Sequence, residues 1–156
     1  MRKKRARSGR FQGMTRMKGA FIDSNILLYA ISGREEEKEK ALIARELLLK
    51  ADSHISIQVL NEFTVNATSA RKHGLSREVA SRHCSVWKSV FTVHPVNGAT
   101  YDLAMVWFLP SRLSLWDSMI VASANLAECD TLFTEDLNDG EVFGNVRVVN
   151  PFPLKE

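Results

Sequence analysis

At 156 residues, with 45% hydrophobic and 25% charged content, the chain has the size and balance of a soluble globular domain and leaves no room for two ordinary ones. Its two cysteines, Cys84 and Cys129, have no paired spacing, which excludes a disulfide framework and a CxxC metal or redox motif; no apolar run is long enough to span a membrane. The net charge of +3 is carried by the N-terminus: residues 1–16 hold seven cations and no anion, and the other 14 Lys and Arg stand against 18 Asp and Glu, a balance of −4.

Those seven cations are Arg2, Lys3, Lys4, Arg5, Arg7, Arg10 and Arg16. Residues 1–17 are expected to be a disordered basic arm, without the apolar segment of a secretory signal. The arm reads in two ways. It is a tail that binds nucleic acid, or it is an extension upstream of a working start at Met14 or Met17, or a remnant of cloning. A reduced, cytoplasmic setting without membrane association is expected, and the folded domain is expected over residues 18–153.

Lys18 to Ile22 is short and apolar and reads as a strand. Ser24 to Ile31 follows as a helix ended by Gly33, with Asp23 at the junction. Glu35 to Leu49 carries Ala41, Leu42, Ala44, Leu47 and Leu48, the spacing of a helix with one buried face. His54 to Ile57 reads as a second strand, and Gln58 to Lys72 as a helix stopped near Gly74. Ser76 caps a helix that runs to about Phe91. Thr92 to Val96 is a third strand, Ala99 to Leu109 a helix stopped by Pro110, and Ser114 or Leu115 to about Cys129 a further helix. Asp130 to Phe133 and Val146 to Val149 complete the strands. Short apolar strands alternating with helices predict an α/β fold with a mainly parallel sheet covered on both faces.

Four acids stand where these segments change: Asp23 in FIDSNILLYA, Glu62 in ISIQVLNEF, Asp117 in LSLWDSMIVASA and Asp136 in TLFTEDLNDG. In a parallel sheet Asp23, Asp136 and Glu62 share the carboxyl edge, where ligands gather. Asp117 can join them from the first turn of its helix. Singly, each has an ordinary reading. Asp23 serves as a helix cap, Glu62 as a solvated helix residue, Asp117 as a first-turn acid favoured by the helix dipole, and Asp136 as a turn residue. A carboxylate near a core is nevertheless costly without a positive partner. No Lys or Arg lies within four residues of Asp23, Glu62 or Asp136, and Arg112 is five residues from Asp117. The four together point to a hard divalent cation, Mg²⁺ or Mn²⁺, and to phosphodiester chemistry. His54, His73, His83 and His94 are dispersed and form no competing set.

Four motifs in order carry a resemblance: Phe21-Ile22-Asp23-Ser24-Asn25, Gln58-Val59-Leu60-Asn61-Glu62-Phe63, Leu113-Ser114-Leu115-Trp116-Asp117-Ser118, and Leu132-Phe133-Thr134-Glu135-Asp136-Leu137 running on to Asn150-Pro151-Phe152. The chain resembles the PIN-domain nucleases, specifically the VapC-like ribonuclease toxins of toxin–antitoxin pairs, from about Met17 to Pro153. The resemblance implies a three-layer α/β/α sandwich and an acidic site for one or two Mg²⁺ or Mn²⁺. It implies Asp23, Glu62 and Asp117 as metal ligands and catalytic residues, Asp136 as the fourth acid, and Asn25 and Thr134 as supporting polar groups. Asp139 is a possible extra acid, and Glu135 is expected to point away. Ser24 replaces the Thr usual in the family and keeps the hydroxyl. The implied reaction is endonucleolytic cleavage of RNA, tRNA among the possible targets. The implied partners are a cognate antitoxin and a second copy of the chain. Arg71, Lys72, Arg77, Arg82 and Lys88 are candidates for gripping the RNA backbone.

The alternative is a PIN-like RNA-processing nuclease, or a non-catalytic binding module, outside a toxin–antitoxin system. A module of that kind should lack some of the acids, and none is missing. A haloacid-dehalogenase-like phosphatase needs a second Asp two residues after Asp23, where Asn25 stands. A receiver-type domain needs adjacent early acids and a late Lys, and the chain has neither.

Overall fold

The computed structural model describes residues 18–152. The basic arm and the Pro153 boundary lie outside the described residues. Within them a six-stranded sheet is flanked by six α-helices in three layers. The strands are β1 (Ala20–Ile22), β2 (Ser53–Ser56), β3 (Thr92–His94), β4 (Thr131–Phe133), β5 (Val142–Phe143) and β6 (Val146–Val149). The helices are α1 (Ser24–Ile31), α2 (Lys38–Lys50), α3 (Ile57–Thr68), α4 (Arg77–Val90), α5 (Gly98–Phe108) and α6 (Leu115–Leu126).

The sheet order is β3-β2-β1-β4-β6-β5, and every pair is parallel except β5 with β6. β1 lies at the centre, with Phe21 opposite His54 on one side and Leu132 on the other. Ala20, Phe21 and Ile22 are fully buried, so both faces of this strand are covered. That is why β1 reads as a continuous apolar run rather than an alternating one. The core joins Phe21 and Ile22 to Ile26 and Leu27 of α1, Val59 and Phe63 of α3, Val121 of α6, and Val146 and Val148 of β6. Full burial of a Phe such as Phe21 or Phe63 contributes on the order of 2 kcal/mol. A smaller cluster of Ala104, Met119 and Ala122 joins α5 to α6.

Several element bounds differ from the sequence reading, for local reasons. The acidic start of the second predicted helix is a separate 3₁₀ turn at Glu35–Glu37. The strand predicted to reach Ile57 stops at Ser56, because the Ser56 hydroxyl accepts the N–H of Val59 and opens α3. α3 ends at Thr68 rather than Lys72: Ser69 is extended, and the Gly74 N–H, at φ +61°, bonds the Ser69 carbonyl. α6 ends at Leu126, and Glu128 at φ 57° turns the chain into β4. The β5 strand was not foreseen.

Candidate active site

The parallel strands set one edge of the sheet as the place where their carboxyl ends open. β1 ends at Ile22, β4 at Phe133 and β6 at Val149, and the ladder continues one step beyond them. The Asp23 N–H bonds the Phe133 carbonyl at 3.1 Å, and the Thr134 N–H bonds the Val149 carbonyl at 3.2 Å. Asp23 and Thr134 are therefore placed side by side by backbone pairing, before any side-chain contact is counted.

Serine caps place the remaining acids. The Ser56 cap starts α3, so Glu62 falls in its second turn. The Ser114 hydroxyl accepts the Asp117 N–H at 3.0 Å, which fixes Asp117 in the first turn of α6. Asp23 is itself the cap of α1, and its Oδ1 accepts the Ser24 N–H at 2.6 Å.

Asp23 is 5% exposed. Its Oδ2 accepts the Thr134 hydroxyl at 2.8 Å. The Asn25 amide donates to Thr134 Oγ1 at 3.1 Å and to Asp136 Oδ2 at 3.0 Å. The Ser24 hydroxyl donates to Glu62 Oε2 at 3.2 Å. Gln58 donates to Glu62 Oε1 at 2.8 Å and to the Trp116 carbonyl at 3.1 Å, which ties the start of α3 to the start of α6. Asp117 and Asp136 line one cavity of about 250 Å³, together with Arg112. The four predicted acids are thus linked in a chain: Glu62 through Ser24 to Asp23, Asp23 through Thr134 and Asn25 to Asp136, and Asp136 across the cavity to Asp117.

Burial pushes the Asp23 carboxyl up to about 7. Hydrogen bonds from Thr134 and the Ser24 N–H pull it down, while the charges of Glu62 and Asp136 add to the rise. Among the described residues no Lys or Arg pairs with Asp23, Glu62, Asp117 or Asp136.

The donor set is all oxygen, the kind hard cations take. Three buried side-chain oxygens have no hydrogen-bond partner among the described residues: Asn25 Oδ1, Gln58 Oε1 and Ser118 Oγ. Each belongs to a residue that contacts or adjoins one of the acids. These features fit a divalent cation with its water shell. No three Asp, Glu, His or Cys side chains of the described residues converge closely enough to ligate one ion directly.

Glu135 points away as expected: it accepts the Tyr29 hydroxyl and the Lys40 ammonium, both at 2.5 Å. Asp139 is exposed and accepts the Asn150 N–H at 2.9 Å, a turn contact apart from the acids. Arg71, Lys72, Arg77, Arg82 and Lys88 are all exposed, on α4 and the turn before it. His54 and His94, far apart in sequence, stack across β2 and β3, with 2.9 Å between Nδ1 and Nε2. The Gln58 bridge and the Ser24–Glu62 bond escaped the sequence reading. The helical i, i+4 spacing of Gln58 and Glu62 was the available signal for the first.

A family model described as PIN domain matches residues 20–142. Compared by sequence with curated proteins, the chain matches none. Solved structures share the fold. A toxin–antitoxin complex from Klebsiella pneumoniae is 23% identical, with a TM-score of 0.60 over 86% of this chain and 99% of that one. VapC20 of Mycobacterium tuberculosis, a sarcin–ricin loop cleaving toxin, is 18% identical, with a TM-score of 0.61 over 82% and 98%. FitAcB from Neisseria gonorrhoeae is 17% identical, with a TM-score of 0.58 over 86% and 99%.

Proposed function

Since the chain belongs to the PIN domain family, we propose that it is a Mg²⁺- or Mn²⁺-dependent endoribonuclease and the toxin of a toxin–antitoxin pair. The observation that carries this reading is the buried Asp23 carboxylate, linked to Glu62 and Asp136 and given no cationic partner among the described residues. A divalent cation supplies the charge that activates water and offsets the negative leaving oxygen of a phosphodiester. Asp23, Glu62 and Asp117 are the residues that would hold it, with Asp136 beside them. Thr134 and Asn25 hold Asp23 and Asp136 at a fixed separation. Ser24 and Gln58 each donate to one oxygen of Glu62 and so orient its carboxylate.

RNA is the proposed substrate, with tRNA the first class to test. The proposed setting is cytoplasmic; among the described residues no helix is long and apolar enough to cross a membrane. An antitoxin partner is supported by the shared fold with a toxin–antitoxin complex. A groove of about 650 Å³ beside Glu62 exposes Ile57, Val65 and Trp116, and this apolar surface supports a protein partner, including a second copy of the chain.

Expression of the chain without an antitoxin tests the proposal. The wild type is expected to arrest growth and cut cellular RNA, and Asp117→Asn to relieve both. Normal growth at full expression of soluble wild-type protein would contradict it.

A further inference from the structure

Behind the acids lies a second polar cluster, built from four separate stretches of chain. The Lys40 ammonium of α2 donates to Glu135 Oε2 at 2.5 Å and to the Tyr29 hydroxyl at 3.0 Å. Tyr29 donates to the other oxygen of Glu135 at 2.5 Å. Lys40 also stands over the Tyr29 ring, 4.5 Å from its centroid, and over the Phe152 ring at 5.1 Å. Tyr29 and Phe152 meet edge to face at 5.0 Å. Lys40 and Glu135 are each about one-quarter exposed, so this ion pair is less screened than a surface one.

The cluster touches none of the four acids, yet it adjoins the site in two places. Thr134 and Asp136 flank Glu135 in sequence. Their side chains turn to Asp23 and Asn25, while Glu135 turns the opposite way to Lys40. Tyr29 lies one turn beyond Asn25 on the same stripe of α1. The cluster therefore grips the one tripeptide and the one helix that carry Thr134, Asp136 and Asn25.

We propose that Lys40, acting through Glu135 and Tyr29, is a positioning residue of the acidic site: the clamp on Glu135 sets where Asp136 presents its oxygen beside Thr134, which backbone pairing already holds. The proposal rests on the nuclease reading for its consequence, cation affinity, and on geometry alone for the positioning itself. Loss of the clamp frees residues 135–136 to shift. The Asn25 bond to Asp136 then weakens, and cation affinity falls without loss of any ligand.

The test uses Lys40→Met, Lys40→Arg, Tyr29→Phe and the exchanged pair Lys40→Glu with Glu135→Lys. Two readouts apply: the NMR resonances of the Asn25 side-chain amide and the Asp136 backbone amide in metal-free protein, and Mn²⁺ affinity by electron paramagnetic resonance. Lys40→Met is expected to move both resonances and to weaken Mn²⁺ binding roughly tenfold, the order expected when a group supporting a ligand is removed. Lys40→Arg and the exchanged pair are expected to restore most of both. Unmoved resonances in Lys40→Met, with a lower melting temperature only, would overturn the proposal. If Lys40→Met does not fold, Tyr29→Phe decides, since it removes one hydroxyl and keeps the ring. A wild type that binds no Mn²⁺ would count against the nuclease reading, while the amide resonances would still decide the positioning.

Discussion

Asp23 is folded into a place that disfavours its charge. Its carboxyl is raised from 3.8 to about 7, chiefly by burial. Between those values the folded chain keeps a proton that the unfolded chain has released. The contribution to stability is therefore fully present below pH 3.8 and is lost as pH rises through 7. Asn at this position has no charge to bury. Metal-free Asp23→Asn should thus gain on wild type by on the order of 2 kcal/mol between pH 5 and pH 8, read from urea unfolding at both values. Added Mg²⁺ at pH 8 should stabilise wild type and leave the variant unchanged. An equal gap at the two pH values would show that Asp23 bears no such cost. The same residue also shows how far local sequence can be read. Asp23 lies at the end of an apolar strand and was legible there, whereas Asn25 and Thr134 were expected only from the resemblance. The bond from Ser24 to Glu62 and the grip of Lys40 on Glu135 join residues 38 and 95 positions apart, and only packing brings them together.

At the scale of elements, the strands and helices that carry the acids follow from simple signals: an apolar run, then a hydroxyl or carboxylate cap. Asp23, Ser56, Ser76 and Ser114 each accept a backbone N–H at a helix start. What was missed was short or set by turns. β5 is only two residues, too brief for any alternating pattern, although Gly144-Asn145 between Phe143 and Val146 is a two-residue hairpin signal. Gly144 sits at φ +62°, and a Cβ there would collide with the Asn125 side-chain amide. That amide matters: Asn125 donates to the Phe143 carbonyl at 3.0 Å and accepts the Asn145 N–H at 3.2 Å, tying the end of α6 to the hairpin. Gly144→Ala should therefore cost about 1–3 kcal/mol of stability, measured by denaturant unfolding, with the RNA cleavage rate of the folded fraction unchanged. A cost below about 0.5 kcal/mol would mean that the hairpin tolerates the side chain.

At the scale of the molecule, the alternation of short apolar strands and helices was enough to expect a mainly parallel sheet, and hydrogen bonds and one cavity link the four acids beside its carboxyl edge. The edge is lined by acids, so the proposed RNA substrate would have to be held elsewhere. The exposed cations of α4 and the turn before it are our assignment. Arg77→Ala with Arg82→Ala should weaken RNA binding and lower the salt slope by roughly 0.7 for each single-strand phosphate that is no longer neutralised. An unchanged slope in filter binding over a salt series would move the grip to another face. The proposed nuclease site is tested by cleavage of total tRNA in Mn²⁺ by wild type, Asp23→Asn and Asp117→Asn, each checked for native circular dichroism. Wild type should cut, a chelator should stop it, and both folded variants should be slower by at least roughly a hundredfold. Wild-type rates in either variant would contradict a metal-dependent site built on these acids.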